Sequence, residues 1–224
     1  PAPVEGAVAT APAVVPPAVP EEKGHWVAET PLPLPETQTE PAGLADTQTG
    51  EGTALPGYKR IAPQQIPGNI IKMLNDNWML VTAGNDAKFN MMTASWRSMG
   101  YLWNKPVVMV FVRPQRYTFE FTEKKDEFTL SFFDEKYRHA LNVCGSVSGR
   151  DVNKVQESGL TPYFTEAGNP AFEEATLVLE CKKLYTDFLK EEAFLDKKIV
   201  DSQYGQKDFH KVYVAEIVHA WVKE

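Results

Sequence analysis

The sequence predicts a mainly β domain, a barrel with short helical insertions, preceded by a proline-rich segment. Three observations carry this. Six strand-like runs follow one another with only a few short helical patterns between them and no regular strand–helix alternation. Residues 1–54 hold ten of the 17 prolines but a single Trp, Tyr or Phe, Trp26. Charge divides at the same boundary. The segment carries one Lys against eight Asp and Glu, whereas residues 55–224 carry 22 basic and 22 acidic residues. The formal charge of −7 therefore belongs to the segment. A basic nucleic-acid surface is excluded as the main reading.

Within residues 1–54, Pro12–Pro20 and Pro31-Leu-Pro-Leu-Pro35 favour extended polyproline conformations, because proline fixes φ and lacks a donor. Thr-Gln-Thr recurs at 37–39 and 47–49. So few large apolar groups do not offset the entropy of ordering, so the segment is expected to be a disordered linker or tail. A proline-rich ligand for another domain is the alternative. The first residue is Pro1, and an Ala/Pro-rich acidic segment ahead of a compact domain favours an extracytoplasmic location, the cytoplasm being the alternative. No run of 18 apolar residues is present, so no transmembrane helix is expected.

The domain, residues 55–224, opens with a short helix expected over Ile66–Asn77. Strands are expected at Trp78–Ala83, Phe89–Ser95, Val107–Val112, Phe128–Phe133, Thr176–Tyr185 and Val212–Val222. Val107–Val112 is apolar without alternation and reads as buried on both faces. Leu177, Leu179 and Cys181 alternate with Val178, Glu180 and Lys182, which suggests a half-exposed strand. A helix is expected after Pro114. Another is capped by Asp134, shows Tyr137, Ala140, Leu141 and Cys144 on one face, and ends at Gly145. Ser148-Gly-Arg-Asp151 reads as a capping box for a helix that carries Val152 and Val155 and stops at Gly159.

Familiar catalytic and metal motifs are missing: no GxxxxGK[ST], no HExxH and no paired-cysteine zinc spacing. Gly145-Ser-Val-Ser-Gly149 lacks the central serine of a nucleophile elbow. Cys144 and Cys181 form no CxxC, and spacing alone does not pair them. His139, His210 and His219 lie far apart, and His139 and His219 read as surface or satisfied core histidines. Two clusters remain. Asn90-Met-Met-Thr-Ala-Ser-Trp-Arg-Ser-Met-Gly100 is a hydroxyl-rich strand and turn. Arg113-Pro-Gln-Arg-Tyr-Thr118 brings two guanidiniums and a hydroxyl to an expected helix start, which suits a phosphate; two solvated arginines are the plainer alternative. Arg150 is a further candidate cation.

These segments resemble the flavin reductase-like family of FMN-binding split β-barrels, which includes flavoredoxin-like proteins. The resemblance runs through Asn90–Trp96, Leu102-Trp-Asn-Lys-Pro106, Val112–Thr118, Phe128–Phe133 and Gly145–Asp151 with Lys154, in order over about residues 60–222. It implies a homodimer with FMN near the subunit interface. It implies that Thr93, Ala94, Ser95 and Trp96 lie along the ring system and ribityl chain. Arg113, Arg116, Tyr117 and Thr118 would surround the phosphate, and Ser131 and Phe132 would line the cofactor from a neighbouring strand. Ser148, Gly149, Arg150 and Lys154 would close the site. Asp208-Phe-His210 stands where many relatives carry Gly-Asp-His, which implies that His210 faces a nicotinamide.

The implied activity is an FMN-binding oxidoreductase that transfers a hydride from NAD(P)H to flavin, with no catalytic nucleophile and no metal. The rivals are a flavoredoxin-like electron carrier serving a protein acceptor, and a flavin-free binding module. One departure bears on the choice: Arg97 stands where many relatives have glycine. Its side chain has three possible destinations: solvent, where it does nothing; the reduced flavin or a phosphate; or the site itself, excluding flavin. Separately, the boundary predicts that limited proteolysis leaves a stable fragment starting near Leu55 to Ile61. Unfolding of the domain on removal of residues 1–54 would refute it.

Overall fold

The computed structural model describes residues 55–224; the readings made for residues 1–54 lie outside the described residues. Ten strands form: β1 (Tyr58–Ile61), β2 (Met79–Gly84), β3 (Phe89–Ala94), β4 (Arg97–Leu102), β5 (Lys105–Val112), β6 (Glu127–Phe132), β7 (Pro162–Phe164), β8 (Pro170–Phe172), β9 (Leu177–Phe188) and β10 (Lys211–Lys223). Five α-helices accompany them: α1 (Ile70–Asp76), α2 (Tyr117–Lys124), α3 (Arg138–Ser146), α4 (Lys154–Ser158) and α5 (Lys197–Gln203). The mainly β class is as expected, and the six expected strands correspond to β2, β3, β5, β6, β9 and β10.

The antiparallel sheet runs β3-β2-β6-β9-β10-β5-β4, with β1 also paired to β10. β3 and β4 thus stand at opposite ends of the order, yet only Ser95 and Trp96 separate them in the chain. Three Cα–Cα steps reach roughly 11 Å. The sheet must therefore curl until its two ends meet. They meet without a ladder between them, and this open seam positions the site.

The barrel interior is filled by Met79, Val81, Ala83, Met92, Val108, Val110, Phe128, Leu130, Leu179, Tyr213 and their neighbours. A second apolar layer lies outside β2, β3, β6 and β9, where Leu80, Met91 and Val178 pack with Ala140, Leu141 and Cys144 of α3 and with Phe172. That layer reverses two expectations. Leu177–Cys181 is buried on both faces, because Val178 joins the outer apolar layer and Glu180 is held by Thr165 and Asn169. β5 buries Val108, Val110 and Val112 inward and Val107 on the other face, but Met109 and Phe111 on that face are only half-covered by the described residues.

The helix starts also differ. Asp134 makes no side-chain cap; a 3₁₀ turn over Glu135–Tyr137 precedes α3, which runs through Gly145 to Ser146. Asn153, not Ser148, caps α4, accepting from the N–H groups of Val155 and Gln156. Ser148 Oγ instead accepts from Arg150 N in a local turn. α4 ends as expected at Gly159, whose φ of 69° is the left-handed cap that glycine adopts without strain. Both cysteines are free and buried.

Glu180 is the buried acid of the sheet, 2% exposed. A register shift on β10 between Ile217 and His219 sets His219 opposite it, 2.6 Å from Nδ1 to Oε2. Asn169 Nδ2 donates to the other oxygen at 2.7 Å, and Thr165 Oγ1 joins it. Glu180→Ala removes the acceptor that these three side chains share, leaving the buried Thr165 hydroxyl without it, and is expected to cost about 1.5–3 kcal/mol. Urea denaturation of the variant checks this; an unchanged midpoint would mean water reaches the cluster.

Candidate functional site

A cleft of about 250 Å³ opens along the seam. Met92–Trp96, Phe111 and Arg113, Arg116 and His210 line it. The hydroxyl-rich strand, the arginine cluster and His210 are thus brought together as the sequence suggested. Thr93 is held in register by its own hydroxyl, which donates to the carbonyl of Leu141 in α3. Ser95 is exposed at the crossing.

The cations at the seam differ in how far they are already engaged. Arg113 forms an ion pair with Asp208, donates to the carbonyl of Gln203 at 2.9 Å, and lies 5.4 Å above the Tyr204 ring. Gln115 donates to the same Asp208 oxygen at 2.7 Å. The charge of Arg113 is therefore met within the chain. Arg116 has one side-chain hydrogen bond among the described residues, to the carbonyl of Cys144 at 3.4 Å. Burial lowers its pKa below the ordinary arginine value, the signature of a cation short of compensation. It is also the N-cap residue of the eight-residue α2 and makes no side-chain cap there. An under-satisfied guanidinium at a helix start suits an anion.

Arg97 takes none of the three paths considered for it. Its guanidinium turns back onto the protein and donates to the carbonyls of Ala94 at 2.8 Å, Ser95 at 3.0 Å and Asn77 at 2.5 Å. It neither points to solvent nor lines the cleft. It staples the two-residue crossing to the end of α1.

One wall of the cleft is aromatic. The Trp96 ring lies 4.6 Å from that of His210 and 6.0 Å from that of Tyr204. His210 is 8% exposed, and Tyr204 Oη lies 3.0 Å from its Nδ1. Burial first, then the positive charge of Arg113, holds the His210 pKa down at about 4, partly offset by Asp208. The ring is neutral at physiological pH.

Four of the remaining predicted residues belong to a neighbouring cleft of about 560 Å³. Tyr117, Gly149, Arg150 and Lys154 line it with Asn90 and Lys88. Arg150 lies 4.7 Å above the Tyr117 ring and is paired with Glu120. Thr118 is fully buried, and its hydroxyl accepts from Asn90 Nδ2 at 2.7 Å. Gly149 passes so close that an added Cβ would lie 2.0 Å from Asn90 Oδ1. Lys154 is 4% exposed and donates to the carbonyls of Met91 at 2.9 Å and Cys144 at 2.8 Å. Burial, then the nearby Arg116, lowers its pKa to about 8. Lys154 thus ties α3 to β3 rather than offering a free charge.

Ser131 and Phe132 come to neither cleft. Phe132 fills the barrel interior, and Ser131 points the other way into the covered outer face, where its hydroxyl has no partner. Sequence reasoning missed Tyr204, which no motif marks. It also missed the buried Asn90–Thr118 pairing, signalled only by an amide inside a strand.

The description "Flavin reductase like domain" matches residues 73–224. Among solved structures, flavoredoxin from Methanosarcina acetivorans is 27% identical over 66% of this chain and 69% of its own, with a TM-score of 0.51. An FMN-binding domain of a flavin reductases-like enzyme from Shewanella baltica shares the fold at 20% identity, with a TM-score of 0.54 over 74% of this chain and 77% of that one. An NADH:FAD oxidoreductase from Streptomyces globisporus shares it at 16% identity, with a TM-score of 0.50 over 64% and 73%. No curated protein matches the chain. The split-barrel expectation therefore holds.

The depressed His210 pKa has a stability consequence. The unfolded chain binds a proton near pH 6.5 that the folded chain refuses until about pH 4. Stability should fall as pH drops through this window and lose nothing further from this group below it. Denaturation midpoints measured from pH 7 to pH 4 should slope less in His210→Gln. An identical slope would mean the ring charges freely in the folded state.

Proposed function

This chain belongs to the flavin reductase-like family, and on that footing we propose that it is an FMN-dependent oxidoreductase drawing a hydride from NAD(P)H, with the seam cleft as the cofactor site. The single observation that carries this reading is Arg116. A half-buried guanidinium with one long hydrogen bond, set at the uncapped start of α2, asks for an anion. The hydroxyls of Thr93 and Ser95 and the Trp96 indole line the same cleft, and they suit a polyol chain and a flat ring. The residues present therefore fit a phosphate-bearing planar cofactor.

Bound FMN would supply the redox chemistry, its ring accepting the hydride released by the nicotinamide. The side chains bind and orient. Arg116 and the α2 N–H groups hold the phosphate end. Trp96 and His210 form an aromatic, uncharged wall on one side. Arg113, already paired with Asp208, keeps that wall in place without adding net charge. The choice of NAD(P)H as donor follows from family membership.

We propose in addition that the working unit is a homodimer. Its support is the apolar surface left open by the described residues, with Met109 and Phe111 half-covered on β5 and Tyr101 and Trp103 exposed at the β4–β5 hairpin. Sedimentation of a flavin-loaded monomer would refute it.

Charge-assisted hydrogen bonds to phosphate contribute about 1.5–3 kcal/mol. Arg116→Ala should weaken FMN binding roughly tenfold to a hundredfold and leave riboflavin, which lacks the phosphate, nearly unchanged. Arg113→Ala should change the ratio of the two affinities little. Equal losses for both ligands in Arg116→Ala would show damage to the barrel instead. Anaerobic NADH or NADPH should bleach the flavin absorbance of the loaded protein; a spectrum unchanged by either donor would remove the reductase assignment.

A further inference from the structure

The aromatic corner of the cleft does more than form a wall. Tyr204, just past the end of α5, is 2% exposed, and burial raises its phenol pKa, so the hydroxyl keeps its proton. Among the described residues, the only hydrogen-bond partner of that hydroxyl is His210 Nδ1. If Nδ1 carried the ring proton, the phenol proton would itself be left without an acceptor, which is costly for a buried group. The satisfied arrangement has Tyr204 Oη donating to Nδ1, with the imidazole proton on Nε2. Nε2 has no partner among the described residues, and it is not one of the fully buried unpartnered nitrogens. It is therefore accessible, on a residue that lines the cleft beside the Trp96 indole.

We propose that Tyr204 is a positioning residue that fixes His210 as the neutral Nε2–H tautomer, so that this corner donates one hydrogen bond to an uncharged carbonyl oxygen of a planar ligand. The charged groups facing the imidazole agree. Arg113, from the end of β5, opposes a second positive charge there, while Asp208, two residues before His210, is taken up by Arg113 and Gln115. An imidazolium is thus disfavoured, and the phosphate end of a ligand is directed to Arg116 instead. The corner and the α2 start then read the two ends of one molecule, one through a neutral donor and one through a cation. The identity of that molecule rests on the flavin reading above; the tautomer does not.

The full-length protein without flavin, labelled with ¹⁵N at histidine, provides the test. Long-range ¹H–¹⁵N correlation, with His210→Gln to assign the signals, should show Nε2–H at pH 7 and no titration down to pH 5. Tyr204→Phe keeps the ring and removes the hydroxyl, and it should give a mixture of tautomers while the His219 signals stay unchanged. In the same variant riboflavin and FMN should each bind about threefold to tenfold more weakly, by the same factor, as expected for one neutral hydrogen bond. A wild-type Nδ1–H pattern, or an unchanged tautomer in Tyr204→Phe, overturns the proposal. So does a loss confined to FMN. If the tautomer is as stated but neither flavin binds the wild-type protein, the flavin reading fails and the carbonyl ligand with it, while the Tyr204–His210 assignment stands.

Discussion

A crossing of two residues governs this molecule. Ser95 and Trp96 must carry the chain from one end of a seven-strand order to the other, and so short a link permits only a closed sheet. Closure without a β3–β4 ladder leaves backbone carbonyls at the crossing unpaired by strands. Arg97 takes up those of Ala94 and Ser95 and adds Asn77. A buried guanidinium spent on carbonyls gains no ion-pair energy, and its Nε is left without a partner. That cost is understandable if the conformation of Trp96 is what it secures. The departure from glycine that looked like an obstacle is thus part of the frame.

Charge at the cleft is distributed by pairing rather than by number. Two arginines three residues apart on one segment differ because Asp208 neutralises the first and no acid among the described residues neutralises the second. Lys154 and Arg116 both reach the carbonyl of Cys144 near the end of α3, where a helix favours cations. The site therefore presents one unspent cation at one end and a neutral ring at the other.

Most of the barrel could be read from the sequence because its strands are dense in β-branched and aromatic residues. β4 escaped notice because Arg97-Ser-Met-Gly-Tyr-Leu102 has no β-branched residue and contains a glycine, and it holds its place only by pairing with β5. Which strands are covered twice could not be read, because coverage depends on where other segments land and not on the strand's own residues. Hence Leu177–Cys181 is more covered, and Met109 and Phe111 less covered, than their own residues suggested. Glu180 looked like an outward residue because its partners, His219, Thr165 and Asn169, come from other elements and one arrives through a register shift. At the site, residue types were legible and allegiances were not. Arg113, Thr118 and Lys154 stand in the right region, but each is already bound to the protein itself.

The two cysteines have a consequence for where such a fold can operate. Cys144 and Cys181 are both fully enclosed, unbonded to each other, and burial raises both thiol pKa values. Thiolate, the form that oxidants and disulfides attack, is suppressed at both positions. The barrel neither gains a cross-link in an oxidising compartment nor loses one in a reducing compartment. Its stability is therefore decoupled from the ambient thiol–disulfide balance.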